Sequence, residues 1–342
     1  MRQPFSILLG LFIVVSLAFT SIDSIVVPEN WPEPSYNFAK NPLKQETITL
    51  GRLLFYDPVL SADSTISCAS CHSPYNAFTH VDHDLSHGIQ DRIGTRNSPA
   101  LMNLAWQDKM MWDGAINHLD MQALAPITHP DEMGSDIASV VKKLNQQQFY
   151  KNYFSQAFGD EEVTGERVLK ALSQFMLTLV SSNSKYDQVK NGTAQFTDQE
   201  ANGYLLFKQN CASCHTEPLL SSYQFANNGL PIDPSLKDVG RMRITQQKSD
   251  SLLFKIPSLR NVEFSYPYMH DGRFKKLSEV MNHYTSNIQQ YPTLSGQLKK
   301  GIQLNANEKV DLIAFLLTLS DRSFLFNNAF TYPSALFNTR KQ

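Results

Sequence analysis

The chain has 342 residues, 42% of them apolar and 18% charged, an ordinary globular composition with length enough for two cores. Its net charge is -2 and its pI about 6.5. That balance offers no basic surface for nucleic acid or for an anionic membrane.

Met1-Arg2-Gln3 carries one positive charge, an apolar run from Phe5 to Phe19 follows, and Thr20-Ser21 is small and polar. Residues 1–24 therefore read as a secretory signal cleaved between Ala18 and Ser24. Left uncleaved it would anchor the chain, although the run is short for a membrane span. Residues 25–45 are rich in Pro, Asn and Glu and read as an extended lead-in.

The next landmark is Cys68-Ala69-Ser70-Cys71-His72, and the same pentapeptide returns as Cys211-Ala212-Ser213-Cys214-His215. C-x-x-C-H is the attachment signal of c-type haem: two thiols add across the vinyl groups and the histidine becomes the proximal iron ligand. A zinc knuckle would want four ligands from paired units, and a redox dithiol needs no histidine after it. The two motifs use all four cysteines, so no structural disulfide is expected. Attachment of c-type haem takes place outside the bacterial cytoplasmic membrane, which together with the leader points to the periplasm.

Helical periodicity dominates between and after the motifs. Val168, Leu169, Leu172, Phe175, Met176, Leu179 and Val180 share a face, with Thr164 placed to cap it. Thr197 and Glu200 form a capping box ahead of Tyr204-Leu205-Leu206-Phe207. An amphipathic helix is expected to begin near Leu277. Asn305 and Glu308 open another, whose apolar face is expected to include Val310, Ile313, Ala314, Leu317 and Leu319. Segments 217–240 and 286–304 read as loops. The polar stretch Asn183 to Phe196 is the natural separator of the two halves. The expected fold is mainly α, with two cytochrome c-like haem domains and long loops. The expected limits are 25–190 for a peroxidatic N-terminal domain, 191–325 for an electron-transfer C-terminal domain and 326–342 for a tail.

The flanks of the two motifs differ, which suggests different tasks for the two irons. After the first come Gly94-Thr95-Arg96-Asn97-Ser98-Pro99, Met111-Trp112-Asp113-Gly114, Gln122 and Glu132, with Trp112, Gln122 and Glu132 spaced by ten and ten. The second half carries Lys255-Ile256-Pro257-Ser258-Leu259-Arg260-Asn261 and Pro267-Tyr268-Met269-His270-Asp271-Gly272. Over residues from about 50 to 320 this set resembles the bacterial di-haem cytochrome c peroxidase family, which includes MauG.

The resemblance implies that His72 ligates a peroxidatic iron whose distal side is lined by Glu132 and Gln122, with Pro126 nearby. It implies that Trp112 relays electrons between the haems. It also implies a calcium ion held by Asn97 and the backbone oxygens of Ser265 and Pro267, ligands of the hard oxygen type that calcium favours. Some family members place a histidine on the resting peroxidatic iron. The corresponding position here falls near Ile89, with His87 two residues away and His80 and His83 as further candidates. At the second iron, where His215 is proximal, the expected sixth ligand is Tyr284, fourteen residues after His270 as in MauG. Met281 and Met269 are alternatives, and His283 is a weaker one. Arg260 and Arg273 are candidate partners for haem propionates.

The expected chemistry is reduction of hydrogen peroxide with electrons from a small cytochrome c or cupredoxin. Competing expectations are a MauG-like oxidase acting on a protein or small molecule, and a di-haem electron carrier without catalysis. A homodimer is compatible with the sequence.

Overall fold

A computed structural model describes residues 25–341. The expected leader at 1–24 lies outside them. Seven helices of eight residues or more carry the described fold: α1 (Gln45–Tyr56), α2 (Ile137–Asn145), α3 (Gln148–Phe158), α4 (Gly165–Leu177), α5 (Asp198–Asn210), α6 (Leu277–Ser286) and α7 (Ala306–Leu317). The one sheet among the described residues is a pair of two-residue strands, β1 (Phe225–Ala226) and β2 (Phe254–Lys255), antiparallel with Phe225 opposite Lys255. No helix among the described residues is long and apolar enough to cross a membrane.

The caps read from the sequence form. The Thr164 hydroxyl accepts from the Arg167 N–H at 3.2 Å, and Thr197 with Glu200 and Asn305 with Glu308 close reciprocal boxes. Each satisfies N–H groups that a helix start leaves unpaired.

Two hydrophobic cores result. The first gathers α1 to α4 around Leu50, Leu53, Phe55, Val168, Leu172 and Phe175. The second gathers Tyr186, Phe207, Met281, Leu312, Phe315, Leu316 and Leu319. Each is built on the same crossing. A Cβ at Gly51 of α1 would sit 1.9 Å from the Ala171 oxygen of α4, and a Cβ at Gly203 of α5 would sit 1.9 Å from the Asp311 oxygen of α7. Only glycine lets the backbones approach so closely. Four residues beyond each contact a phenylalanine, Phe175 or Phe315, packs on the same glycine. The internal repeat therefore extends past the haem motif to the helix pair that carries it.

Three expectations need correction. The buried stripe of α7 is Leu312, Phe315 and Leu316, continuing to Leu319, while Val310 and Leu317 are exposed. Packing of Phe315 on Gly203 selects that face over the alternative apolar stripe. The segment Asn183 to Phe196 is packed in its first half, where Ser184 caps a short helix, Lys185–Lys190, in which Tyr186 and Asp187 are buried, while residues 190–193 are exposed. Finally, the C-terminal residues dock on the first core. Phe324 and Leu325 are buried there, the Tyr56 hydroxyl donates to the Phe330 oxygen at 2.5 Å, and Arg340 pairs with Asp57 at 2.6 Å.

Candidate haem sites and the interface between them

Cys68 and Cys71 open and close a single helical turn, which sets both thiols on one side and delivers His72 as its C-cap. The Nδ1 of His72 lies 2.7 Å from the Phe78 oxygen. That of His215 lies 3.1 Å from the Pro257 oxygen and 3.3 Å from the Leu220 oxygen. A carbonyl oxygen only accepts, so Nδ1 carries the proton in both rings and Nε2 keeps its lone pair. Burial pushes each imidazole down to about 4, so both are neutral. A neutral imidazole with its outer nitrogen tied to a carbonyl is the form that ligates iron. Burial also pushes the Cys68 and Cys211 thiols up to about 12. A redox dithiol needs the opposite shift, whereas thioether attachment to haem consumes these protons.

Beside the first motif, the loop bearing His87 is clamped on two sides. Cys71 Sγ donates to the His87 oxygen at 3.3 Å, and the Ile89 N–H donates to the Glu132 oxygen at 2.8 Å. Between them, a Cβ at Gly88 would sit 2.2 Å from the Asp131 oxygen and 2.3 Å from the Glu132 oxygen. The His87 ring stacks on His83 at 4.0 Å, and His83 meets His80 at 5.0 Å. Glu132 is half-buried, and its charge reaches both Cys68 and Cys71. Burial raises its carboxyl, His129 opposes the shift and Asp131 adds to it. Gln122 closes a short helix, Leu119–Gln122, next to the one that holds Pro126, Leu124–Thr128. Its Nε2 donates to Met111 Sδ at 3.2 Å, while its buried Oε1 has no partner.

The sequence motifs converge where the two halves meet. Arg96 pairs with Asp113 of its own half and Asp238 of the other, both at 2.6 Å. The Asn97 N–H donates to the His270 oxygen at 2.8 Å, and the Lys255 N–H donates to the Trp112 oxygen at 2.7 Å. The Trp112 indole donates to the Asn97 oxygen at 2.9 Å. Asn97 uses its side-chain N–H on the Asp84 oxygen at 3.1 Å, which leaves Oδ1, the atom a cation would take. Asn97, Ser265 and Pro267 border one cavity.

That cavity runs from Trp112 to the second motif and is lined by Cys211, Cys214 and His215. Tyr284, Met281 and Met269 also line it. Burial pushes the Tyr284 phenol up to about 12, a shift that a bound cation reverses. His283 is not among the lining residues. Its Nε2 lies 3.0 Å from the Asn228 oxygen and its Nδ1 is buried without a partner.

The expected propionate partners are engaged elsewhere. Arg260 is fully buried, forks onto both oxygens of Asp187 at 2.8 Å and stacks 4.6 Å from the Trp31 ring. Arg273 pairs with Asp271. Both cations already have carboxylates, and neither lines the cavity. Residues that sequence reasoning gave no role, Gln107, Tyr223 and Lys255, do line the cavity. Lys255 opens the motif at 255–261, but only the fold shows where it lies.

The profile of the family described as di-haem cytochrome c peroxidase matches residues 45–195, and that of cytochrome c matches 200–320. The methylamine utilization protein MauG of Methylophilus methylotrophus is 36% identical over 299 residues, covering 85% of this chain and 86% of its own. Cytochrome c551 peroxidase of Nitrosomonas europaea is 34% identical, with 82% of each chain covered. The crystal structure of a MauG-like protein associated with microbial copper homeostasis superimposes with a TM-score of 0.83 at 31% identity, covering 90% of this chain and 98% of that one. The cytochrome c match implies covalently bound haem c, which the tautomers of His72 and His215 are set to receive.

Proposed function

The chain belongs to the di-haem cytochrome c peroxidase family that includes MauG, and on that premise we propose that it reduces hydrogen peroxide to water at the first haem motif. Two protons and two electrons convert one peroxide into two waters. The electrons come singly from a small cytochrome c or cupredoxin and pass from the second motif by way of Trp112. When bound, the haem at Cys68 and Cys71 supplies the coordination position for peroxide and the redox equivalents for O–O cleavage.

The observation that carries this reading is the placement of Glu132, half-buried, with its backbone oxygen clamped to Ile89 on the loop whose His87 oxygen meets Cys71 of the first motif. A carboxylate there takes a proton from one peroxide oxygen and returns it to the other, which leaves as water. The free Oε1 of Gln122 accepts from the peroxide O–H and orients it. The His87 ring would have to leave its stack on His83 to serve as a ligand. With His87 held in that stack, His72 would be the ligand this chain supplies to the first iron, and Glu132 and Gln122 would be left to meet the peroxide. At the second motif Tyr284, with Met281 and Met269 as alternatives, would join His215 in holding the iron, since all three line the same cavity. Calcium, if bound, would take Asn97 Oδ1 and the backbone oxygens of Ser265 and Pro267. We place the protein in the periplasm, where c-type haem is attached.

Substituting Glu132→Gln tests the assignment. Peroxide turnover is expected to fall by about 10²–10⁴-fold, with two haems per chain retained. Turnover at the parent rate would sink the shuttle role. A second reading, oxidation of a protein or small substrate in the manner of a MauG enzyme, is favoured by Tyr284, because a phenolate ligand stabilises ferric iron. Steady-state assays separate the two. Peroxide-dependent oxidation of a reduced cytochrome c supports the first, and its absence alongside peroxide-dependent haem oxidation supports the second.

A further inference from the structure

The cavity beside the second motif is mostly apolar in its lining, yet Lys255 is the one lysine or arginine that lines it among the described residues. The neighbouring cations are taken: Arg96 by Asp113 and Asp238, Arg260 by Asp187, Arg273 by Asp271. No carboxylate lies within ion-pair distance of Lys255. Its ammonium has three donors, and two are used, on Gln107 Oε1 at 2.7 Å and on the Lys109 oxygen at 2.8 Å. Burial pulls this ammonium down to about 8, and Asp113 recovers only part of the shift. An unpaired buried cation is costly unless an anion arrives to meet it.

Tyr223 lines the same cavity, and its buried hydroxyl makes no hydrogen bond of good geometry, with the Gln107 side chain as a polar neighbour. A buried, unsatisfied O–H carries a desolvation cost of its own. The backbone of Tyr223 lies at φ 53°, a region bulky residues avoid. Two features thus face one space: an ammonium with a spare donor and a phenol without a full hydrogen-bond partner. The set describes a site for one carboxylate.

We propose that Lys255 and Tyr223, with Gln107 orienting the ammonium, bind a propionate of the haem carried by Cys211 and Cys214. The Lys255 backbone N–H holds the Trp112 oxygen at 2.7 Å, so the same residue anchors the relay tryptophan and the edge of the haem that feeds it. Lys255 is a positioning residue: it acts through the propionate, and its charge favours the reduced haem, which carries one more electron. The inference rests on the two-haem family assignment and is independent of whether peroxide is the substrate.

The test uses the holoprotein and no turnover assay. Potentiometric titration of Lys255→Met should show a lower midpoint potential for the second haem, with Lys255→Arg restoring most of it. The propionate bending band of that haem in the resonance Raman spectrum should shift to lower frequency in Lys255→Met. In Tyr223→Phe, which keeps the ring and loses only the hydroxyl, it should shift less but in the same direction. If Lys255→Met does not fold, the Tyr223→Phe band still decides. An unchanged potential and band in Lys255→Met, or an unshifted band in Tyr223→Phe, would overturn the proposal. Loss of peroxidase activity in another variant would leave it standing, whereas a haemochrome value below two per parent chain would remove its premise and the proposal with it.

Discussion

The indole N–H of Trp112 donates to the backbone oxygen of Asn97 at 2.9 Å, and the N–H of that same Asn97 donates across the interface to the His270 oxygen at 2.8 Å. The ring is thereby locked to one half while its backbone oxygen, accepting from Lys255, is locked to the other. A side chain fixed from both sides would not need to reorganise in the relay role proposed for it. The Arg96 fork onto Asp113 and Asp238 holds the same seam together electrostatically.

From this arrangement, Trp112→Phe is expected to preserve haem content and cost only about 1 kcal/mol of stability, the net worth of one hydrogen bond. Electron transfer between the haems should slow by roughly tenfold or more, an added barrier of about 1.4 kcal/mol or above. Stopped-flow reduction of the first haem by way of the second would measure it. A rate equal to the parent's would exclude the indole from the route.

Glu132 gives a pH signature. Burial raises its carboxyl above the ordinary value of about 4.3. In the proposed shuttle the carboxylate is the form that accepts the proton, so turnover should decline as pH falls through the raised pKa, earlier than an exposed glutamate would dictate. The linkage to stability has the opposite sense. The fold favours the protonated form, so this group's contribution is fully present at low pH and is lost as pH rises through the folded pKa. A kcat/KM profile against pH for the parent and for Glu132→Gln checks the assignment. The acid limb should disappear in the variant, and a limb that persists unchanged belongs to another group.

What could be read from the sequence was local. Cys68, Cys71 and His72 lie in one turn, and Thr197 and Glu200 are three apart, so a few residues carry the whole signal. What could not be read was pairing at a distance. Arg260 and Asp187 are 73 residues apart, and nothing near Arg260 announces that its partner sits in a stretch that looks like a polar linker. The buried face of α7 is settled by Gly203 on another helix, not by its own periodicity. Lys255 stands out only once its neighbours are seen to be paired and it is not.

Two of the candidates proposed to join His215 at the second iron, Tyr284 and Met281, can be separated. If Tyr284 is the ligand, Tyr284→Met should raise the midpoint potential of the second haem, since a thioether favours ferrous iron more than a phenolate does, and Met281→Ala should leave it unmoved. If Met281 is the ligand, Met281→Ala should give the larger change and Tyr284→Met little. Redox titration followed in the visible band of the second haem distinguishes the two patterns.

The ion pair between Arg260 and Asp187 joins the segment between the halves to the second core, with side-chain exposures of 0% and 7%. Asp187 also accepts from the Ser184 N–H and hydroxyl, so its removal would unpair a buried guanidinium and uncap a helix together. Breaking one side of such a pair costs about 3–5 kcal/mol, and Asp187→Ala should therefore lower Tm sharply without altering the haem spectra of the molecules that remain folded. The double change Asp187→Leu with Arg260→Met removes both charges and should recover a substantial part of the loss, because the uncompensated cation, more than the absent contact, causes the damage. Thermal melts of the single and double variants decide it. A double variant no more stable than Asp187→Ala would mean that the cap and the stacking of Arg260 on Trp31, and not the charge, hold this joint.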